Sequence, residues 1–275
     1  MQARFQPLPN EGRLDGKVLV ITGSTQGQGE AFAQRAAYLG AAGIVICGRS
    51  EDKGAAVVKS LEEIGAQALF VKADLASAED CRAVMRACDA RFGRVDGLVN
   101  SAGNATRGTL ETTTVELWDW LFALNVRAPF ILMQDAVRIM RREDIKGSIV
   151  NIQTMSAYGG QPDLMAYSSS KAALSALTKN AAYQLQPYQI RVNALNIGWT
   201  NTPGEHVTQM STGKPEDWLE AADASRPFKR LLLPEDIAPM VTYLLSDMAS
   251  MVTGSVIDWD QTINGPYGTH EPVFE

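Results

Sequence analysis

Residues 17–29 read Lys17-Val18-Leu19-Val20-Ile21-Thr22-Gly23-Ser24-Thr25-Gln26-Gly27-Gln28-Gly29, and the helical spacing that follows runs to Leu39. The first five residues make a short apolar run of strand length, and Gly29–Leu39 has the periodicity of an amphipathic helix. Glycine lets the chain turn tightly and come close to a phosphate with no Cβ in the way. The helix behind the turn offers free backbone N–H groups and a positive dipole end to a pyrophosphate. Such turns also occur for packing alone, so it is the position between the first strand and the first helix that gives this one weight.

Working outward, short apolar runs alternate with longer amphipathic stretches almost to the end of the chain. Strands are expected at Lys17–Ile21, Gly43–Cys47, Gln67–Val71, Val95–Asn100, Gly147–Ile152, Ile190–Leu195 and Ser255–Trp259. Helices are expected at Gly29–Leu39, Asp52–Ile64, Ala78–Arg91, Val115–Arg141, Tyr167–Leu185 and Pro234–Leu245. The strands are nearly continuously apolar, which suits a parallel sheet covered on both faces. Strict β–α alternation with right-handed crossovers gives an α/β fold. The expectation is a single doubly wound, Rossmann-like domain with a seven-stranded parallel sheet and helices on both faces. Residues 1–14 are expected to be a flexible arm and 15–275 the domain. Residues 202–230 interrupt the rhythm as a long polar insertion, with Trp218 and Leu219 in a short helix. A loop this long at the carboxyl end of a strand reads as a lid.

Bulk properties narrow the function. The chain has 275 residues and a formal net charge of −6, which argues against nucleic acid or an anionic membrane as the main partner. Cys47, Cys81 and Cys88 lack the spacing of a disulfide framework or a zinc site, and a reducing compartment follows as the default. No signal-like segment or membrane-length apolar run stands out, so a cytoplasmic protein is expected. His206 and His270 have no metal-ligand spacing and read as surface histidines; no metal is expected.

The end of the second strand bears on the cofactor. An acid there would bind the adenosine ribose hydroxyls, whereas an arginine can hold a 2′-phosphate. The sequence reads Ile46-Cys47-Gly48-Arg49-Ser50, with Gly48 in the place of the acid. Arg49, with Ser50 as a second donor, favours NADP(H) over NAD(H). Against that, Ser50 can simply cap the next helix, and Glu51 and Asp52 would weaken a phosphate site.

At this point the chain resembles the short-chain dehydrogenase/reductase family, over about Leu14 to Asp260. Thr22, Gly23, Gly27 and Gly29 match the family's Thr-Gly-x3-Gly-x-Gly pattern, and Asn100-Ser101-Ala102-Gly103 resembles its Asn-Asn-Ala-Gly turn. Asn125, Tyr167-Ser168-Ser169-Ser170-Lys171 and Arg191-Val192-Asn193 with Ile197, Gly198 and Thr202 follow in family order. Thr154 stands where the family has its catalytic serine, with Ser156 nearby as a rival hydroxyl. Gln28 and Ile197 replace an aliphatic residue and a proline, and Asp258-Trp259-Asp260-Gln261-Thr262 departs from the family's Asp-Gly-Gly end. The resemblance implies that Thr22, Gly23, Ser24, Gln26, Gly27, Gln28, Gly29, Asp74, Leu75, Asn100, Ala102, Gly103, Ile197, Gly198, Thr200 and Thr202 line the cofactor site, beside Arg49 and Ser50. It also implies a homo-oligomer, a tetramer or dimer, joined through Val115–Arg141 and the tyrosine helix.

A free tyrosine has a pKa of about 10, too high for an efficient base at neutral pH. Lys171 is four residues on, on the same helical face, and a nearby positive charge favours phenolate. Oxidised nicotinamide adds a second positive charge, and bringing the phenol to neutrality takes about 4 kcal/mol of differential stabilisation, which two nearby cations in a partly desolvated site can supply. By the family's mechanism Tyr167 exchanges the proton, Lys171 tunes it and holds the nicotinamide ribose, Thr154 orients the substrate oxygen, and Asn125 holds a water. The polar residues near the strand ends suggest a small polar, sugar- or polyol-like substrate, with Asn104, Thr154, Ser156, Tyr158, Tyr167, Trp199 and His206 as candidate contacts. Two other readings stand beside it. One is a 3-oxoacyl thioester reductase, with Arg138, Arg141 and Arg142 as a patch for a carrier protein; the other is a nucleotide-binding regulator without catalysis.

Overall fold

The computed structural model describes residues 11–263. Seven strands form one sheet: β1 (Val18–Ile21), β2 (Gly43–Gly48), β3 (Gln67–Lys72), β4 (Gly97–Asn100), β5 (Ser148–Thr154), β6 (Arg191–Ile197) and β7 (Val256–Trp259). Their order is β3-β2-β1-β4-β5-β6-β7, and every neighbouring pair is parallel. Helices α1 (Gly27–Tyr38), α2 (Glu51–Ile64), α3 (Ala78–Phe92), α4 (Val115–Phe122), α5 (Ala128–Arg142), α6 (Met165–Leu185) and α9 (Pro234–Leu245) cover it. The doubly wound seven-stranded sheet is the architecture expected from the apolar runs.

The period-2 alternation within each strand splits the core in two. Leu19 and Ile21 point to the side covered by α1, α2 and α9, where Phe32, Leu61 and Val241 pack. Val18 and Val20 point to the side of α3, α5 and α6, with Val84, Leu132 and Leu185. Each such fully buried large side chain contributes roughly 1.5–3 kcal/mol. Cys47, Cys81 and Cys88 are free and buried in the second cluster, where burial raises all three thiols.

Arg191 and Asn193, conspicuous in the sequence, hold the frame together. The Arg191 guanidinium donates to Leu244 O at 2.7 Å and Ser246 O at 3.0 Å, placing a cation on the carbonyl end of α9. Asn193 donates to Val252 O and accepts from Ser255 N, which fixes the entry to β7.

Two expectations change. Leu14, the last residue of the expected arm, is fully buried and its N–H donates to Leu39 O at 2.8 Å, so it packs with the domain. The insertion at 202–230 is mostly helical: α7 (Pro203–Ser211) and α8 (Trp218–Ala224) build it. Thr202 caps α7 by accepting from Glu205 N at 3.1 Å, and Pro203 takes the first helical position.

Candidate active site

Strand order reverses between β1 and β4, so the crevice opens beside their carboxyl ends. Gly23 and Gly27 have φ of +63° and +60°, which a Cβ would strain. A Cβ on Gly29 would lie 2.5 Å from Gly23 O, and one on Gly23 would lie 2.8 Å from the Ala102 Cα. The glycines therefore let α1 close on β1 and let the turn after β4 close on both. Thr22 pins that contact: its Oγ1 accepts from Ser101 N and Ala102 N, both at 3.0 Å. Side chains of Ser50, Ser77, Thr114 and Thr202 cap α2, α3, α4 and α7, but α1 begins at Gln26 with no side-chain cap. Its first N–H groups are left for an anion, so the cradle fits the pyrophosphate of a dinucleotide. Ser24 takes no such part with its hydroxyl, which is fully buried between Ile21 O and Cys47 N.

At the end of β2 a Cβ on Gly48 would lie 2.7 Å from the Thr25 side chain, so an acid has no room there. Arg49 follows and is exposed. Ser50 caps α2, accepting from Lys53 N at 3.4 Å, and the Lys53 ammonium donates to Gln26 Oε1 at 2.5 Å. Lys53, which the sequence reading did not single out, adds a second cation beside the turn. Glu51 is drawn off to Lys72 at 2.8 Å. Asp74 turns its carboxylate to Ala76 N, and Leu75 packs into the core.

Between α4 and α5 the helix widens into a π-turn over Ala123–Arg127, with Asn125 fully buried in it. Such bulges re-aim a side chain within a continuous helix. Asn125 Oδ1 accepts from Asn104 N, and Nδ2 donates to Asn104 O and to Ser170 Oγ, all within 3.0–3.1 Å. Ser170, one residue before Lys171, is thus a link in the site that the Tyr-x3-Lys spacing did not reveal. Asn104 is bound up in this knot, and its side chain accepts from Thr106, so it does not line the cleft. Asn100 is buried and donates to Asn151 Oδ1 at 2.8 Å, bridging β4 and β5.

Lys171 is buried, and its Nζ donates to Ile152 O at 2.8 Å. A Cβ on Gly103 would sit 3.2 Å from that Nζ and 3.3 Å from Asn125 Oδ1, so Gly103 leaves the amine open to its neighbours. Burial pulls the amine down to about 8. Burial pushes the Tyr167 phenol up to about 12; the neighbouring Thr154 hydroxyl opposes that rise, and the Glu205 charge adds to it. The Lys171 ammonium is directed at the Ile152 carbonyl. The protein's own groups hold the phenol protonated.

Tyr167 and Thr154 face a cleft of about 700 Å³ whose walls also include Gln28, Ser156, Ile197, Gly198, Trp199, Thr200 and Thr202. Thr154 Oγ1 accepts from Ser156 N at 3.2 Å. Helix α7 forms one wall with Glu205, Thr208 and Gln209. It meets the glycine turn, for a Cβ on Gly27 would touch Thr202 at 3.5 Å. The Trp199 indole stacks on Trp218 at 5.8 Å and donates to Glu205 Oε1 at 2.7 Å.

Two further expected contacts, besides Asn104, fall outside the cleft. Tyr158 is exposed and donates to Asp258 Oδ1 at 2.9 Å, drawn away by the carboxylate. His206 is exposed on the other side of α7, where its Nδ1 accepts from the Trp218 indole at 3.0 Å. His270 lies outside the described residues. The basic patch suggested for a carrier protein is neutralised: Arg138 pairs with Asp135, Arg142 with Asp89 and Glu143, and Arg141 lies over the Tyr188 ring. It also sits at the carboxyl end of α5, across the sheet from the cleft.

A family model described as enoyl-(acyl carrier protein) reductase matches residues 23–263. The 3beta-hydroxysteroid dehydrogenase of Mediterraneibacter gnavus is 33% identical over 266 residues, covering 90% of this chain and 95% of its own. A solved short chain dehydrogenase/reductase family protein superposes with a TM-score of 0.77 at 34% identity, covering 90% of this chain and 97% of that one. L-sorbose reductase from Gluconobacter frateurii, solved with NADPH and L-sorbose, superposes with a TM-score of 0.87 at 31% identity, covering 93% of this chain and 99% of the other. Among the described residues, no helix is long and apolar enough to cross a membrane.

Proposed function

The chain belongs to the short-chain dehydrogenase/reductase family and so interconverts alcohols and carbonyls with NAD(P), and we propose that it uses NADP(H) on a small polyol- or sugar-like substrate. The observation that carries the reading is the cleft itself, with a phenol, a threonine hydroxyl and a buried lysine at one end and the uncapped glycine turn at the other. The names of relatives do not decide the substrate, since they span a steroid and a ketose. The walls favour the polar class: Gln28, Ser156, Gln161, Thr208, Gln209 and Thr212 outnumber the apolar residues a steroid would need.

Bound nicotinamide supplies or takes the hydride. Tyr167 gives its phenolic proton to the carbonyl oxygen in reduction and takes it back in oxidation. Because burial keeps that phenol protonated, the resting site is set for reduction. Thr154, which lines the same cleft as Tyr167, steers the substrate oxygen to the phenol. Lys171 holds the nicotinamide ribose, and Asn125 keeps the surrounding loop and Ser170 in register. Thr154→Ala is expected to cost more in kcat/KM than Ser156→Ala, because Thr154 stands where the family has its catalytic serine and lines the cleft beside Tyr167. Side-by-side kinetics settle it, and a larger loss in Ser156→Ala would reassign the hydroxyl.

Arg49 and Lys53 are the cations that would take a 2′-phosphate, and Gly48 bars the competing acid. Turnover on a panel of ketoses, polyols and simple alcohols with both cofactors tests the whole reading. NADP(H) is expected to be preferred, and Arg49→Ala should raise KM for NADP(H) about tenfold or more, as loss of a charged hydrogen bond does. NAD(H) preferred by the parent would overturn this assignment. The exposed faces of α4, α5 and α6 carry Val115, Trp118, Phe130 and Tyr183, which supports a homo-oligomer, dimer or tetramer, through those helices. A cytoplasmic location accords with the three unpaired cysteines.

A further inference from the structure

Glu205 stands in the first turn of α7, on the wall of the cleft that faces Tyr167. One of its oxygens is committed: Oε1 accepts from Trp199 Nε1 at 2.7 Å and from Gln209 Nε2 at 2.6 Å. These two bonds lock the side chain in place. Among the described residues, no donor reaches Oε2. We propose that Glu205 is a specificity residue whose second oxygen accepts a hydrogen bond from a substrate hydroxyl remote from the reacting carbon, so that the cleft prefers neutral, multiply hydroxylated substrates to monohydric ones.

A simple latch between α7 and Trp199 would need one acceptor oxygen, which a glutamine provides. A carboxylate adds a cost, since its charge reaches the phenol and raises Tyr167 further. A negative charge spent that close to the proton donor is repaid when a substrate O–H meets it, because hydrogen bonds to a charged acceptor are roughly twice as strong as neutral ones. A cationic substrate is the other partner a carboxylate could take. The walls speak against it: Arg107, Lys214 and Arg226 balance Asp163, Glu205 and Asp260, so the cleft carries no net charge. Of these, Arg107 and Asp163 already pair at 2.8 Å. A site that reserves an acceptor for a substrate hydroxyl discriminates against analogues lacking it, since the acceptor then faces the analogue unpaired.

The inference rests on the cleft being the substrate site, and the experiment separates the two. The parent and Glu205→Gln are assayed on tetritols, pentitols, hexitols and their ketoses, beside 2-butanol, cyclohexanol and their ketones. Glutamine keeps an Oε1 that can accept from both Trp199 and Gln209, so the fold of α7 is preserved; NADP(H) binding followed by fluorescence checks this. The ratio of kcat/KM for the best polyhydroxylated substrate to that for the best monohydric pair is expected to fall about tenfold or more in Glu205→Gln, chiefly through KM. A ratio held within about twofold overturns the proposal, as does a parent that turns over only the monohydric pairs. Loss of NADP(H) binding in Glu205→Gln also overturns it, by showing that the carboxylate serves α7 rather than substrate. A parent inactive on every member with both cofactors refutes the functional reading above instead.

Discussion

Tyr167→Phe is expected to reduce turnover by roughly 10²–10⁴-fold, the span that a positioned general acid contributes, while NADP(H) binds nearly as tightly as to the parent. The ring stays in its place on α6, and only the phenolic oxygen is lost. Lys171 keeps its bond to Ile152 O, so the amine end of the site is untouched. The pH dependence carries the sharper signature. Burial holds the phenol at about 12, so in the free protein it stays an acid through neutral pH. Reduction by the parent should therefore stay high through neutral pH, and oxidation should climb as pH rises. The residual activity of Tyr167→Phe should follow neither trend. Steady-state kinetics in both directions, with cofactor titration by fluorescence quenching, make the test. A variant as active as the parent would remove Tyr167 from the chemistry.

What the sequence disclosed follows from how local each signal is. Strands β1, β2 and β5 are apolar runs bounded by Gly or polar residues, and the period is visible within a few positions. The glycine turn is legible because its need for positive φ at Gly23 and Gly27 is a property of residue type alone. The spacing from Tyr167 to Lys171 places both on one helical face, and Thr154 and Asn125 fell in register by family order. Helix α7 was missed although its start is written out: Thr202, Pro203 and Glu205 make a cap, a first-turn proline and an acid at the third position. The polar composition of residues 203–211 hid it, for no apolar stripe marks a helix that meets Trp199 and Trp218 through Glu205 and His206.

Long-range pairings were not legible at all. Tyr158 meets Asp258 across 100 residues, and Glu205 meets Trp199 only because the chain reverses after β6. The π-turn at Asn125 has no sequence signature, since the extra residue per turn is imposed by what Asn125 must bond: Asn104 and Ser170 on two other segments. Helical spacing places Lys171 on the face of Tyr167, but does not say that its ammonium bonds Ile152 O.

Replacing Lys171 by Met should strip the site of activity and also change how the fold responds to alkali. The variant keeps a side chain of similar length but loses the cation that holds the ribose, so both kcat and NADP(H) affinity are expected to fall, kcat by roughly 10²-fold or more. The stability effect follows from linkage. Burial lowers the folded-state amine from the usual 10.5 to about 8, while in the unfolded chain it stays near 10.5. Between those values the unfolded state binds the extra proton, so the parent gains stability as pH rises through that window. The full gain is on the order of 3 kcal/mol, worth several degrees in Tm for a chain of this size. Lys171→Met has no such group, and all other titrating residues are shared. The difference in Tm between parent and variant should therefore shift in the parent's favour from pH 7.5 to pH 10, measured by calorimetry without cofactor. Parallel Tm curves over that range would mean that the amine is solvated in the folded protein, and the tight floor of Gly103, Asn125 and Ile152 around it could not be as drawn.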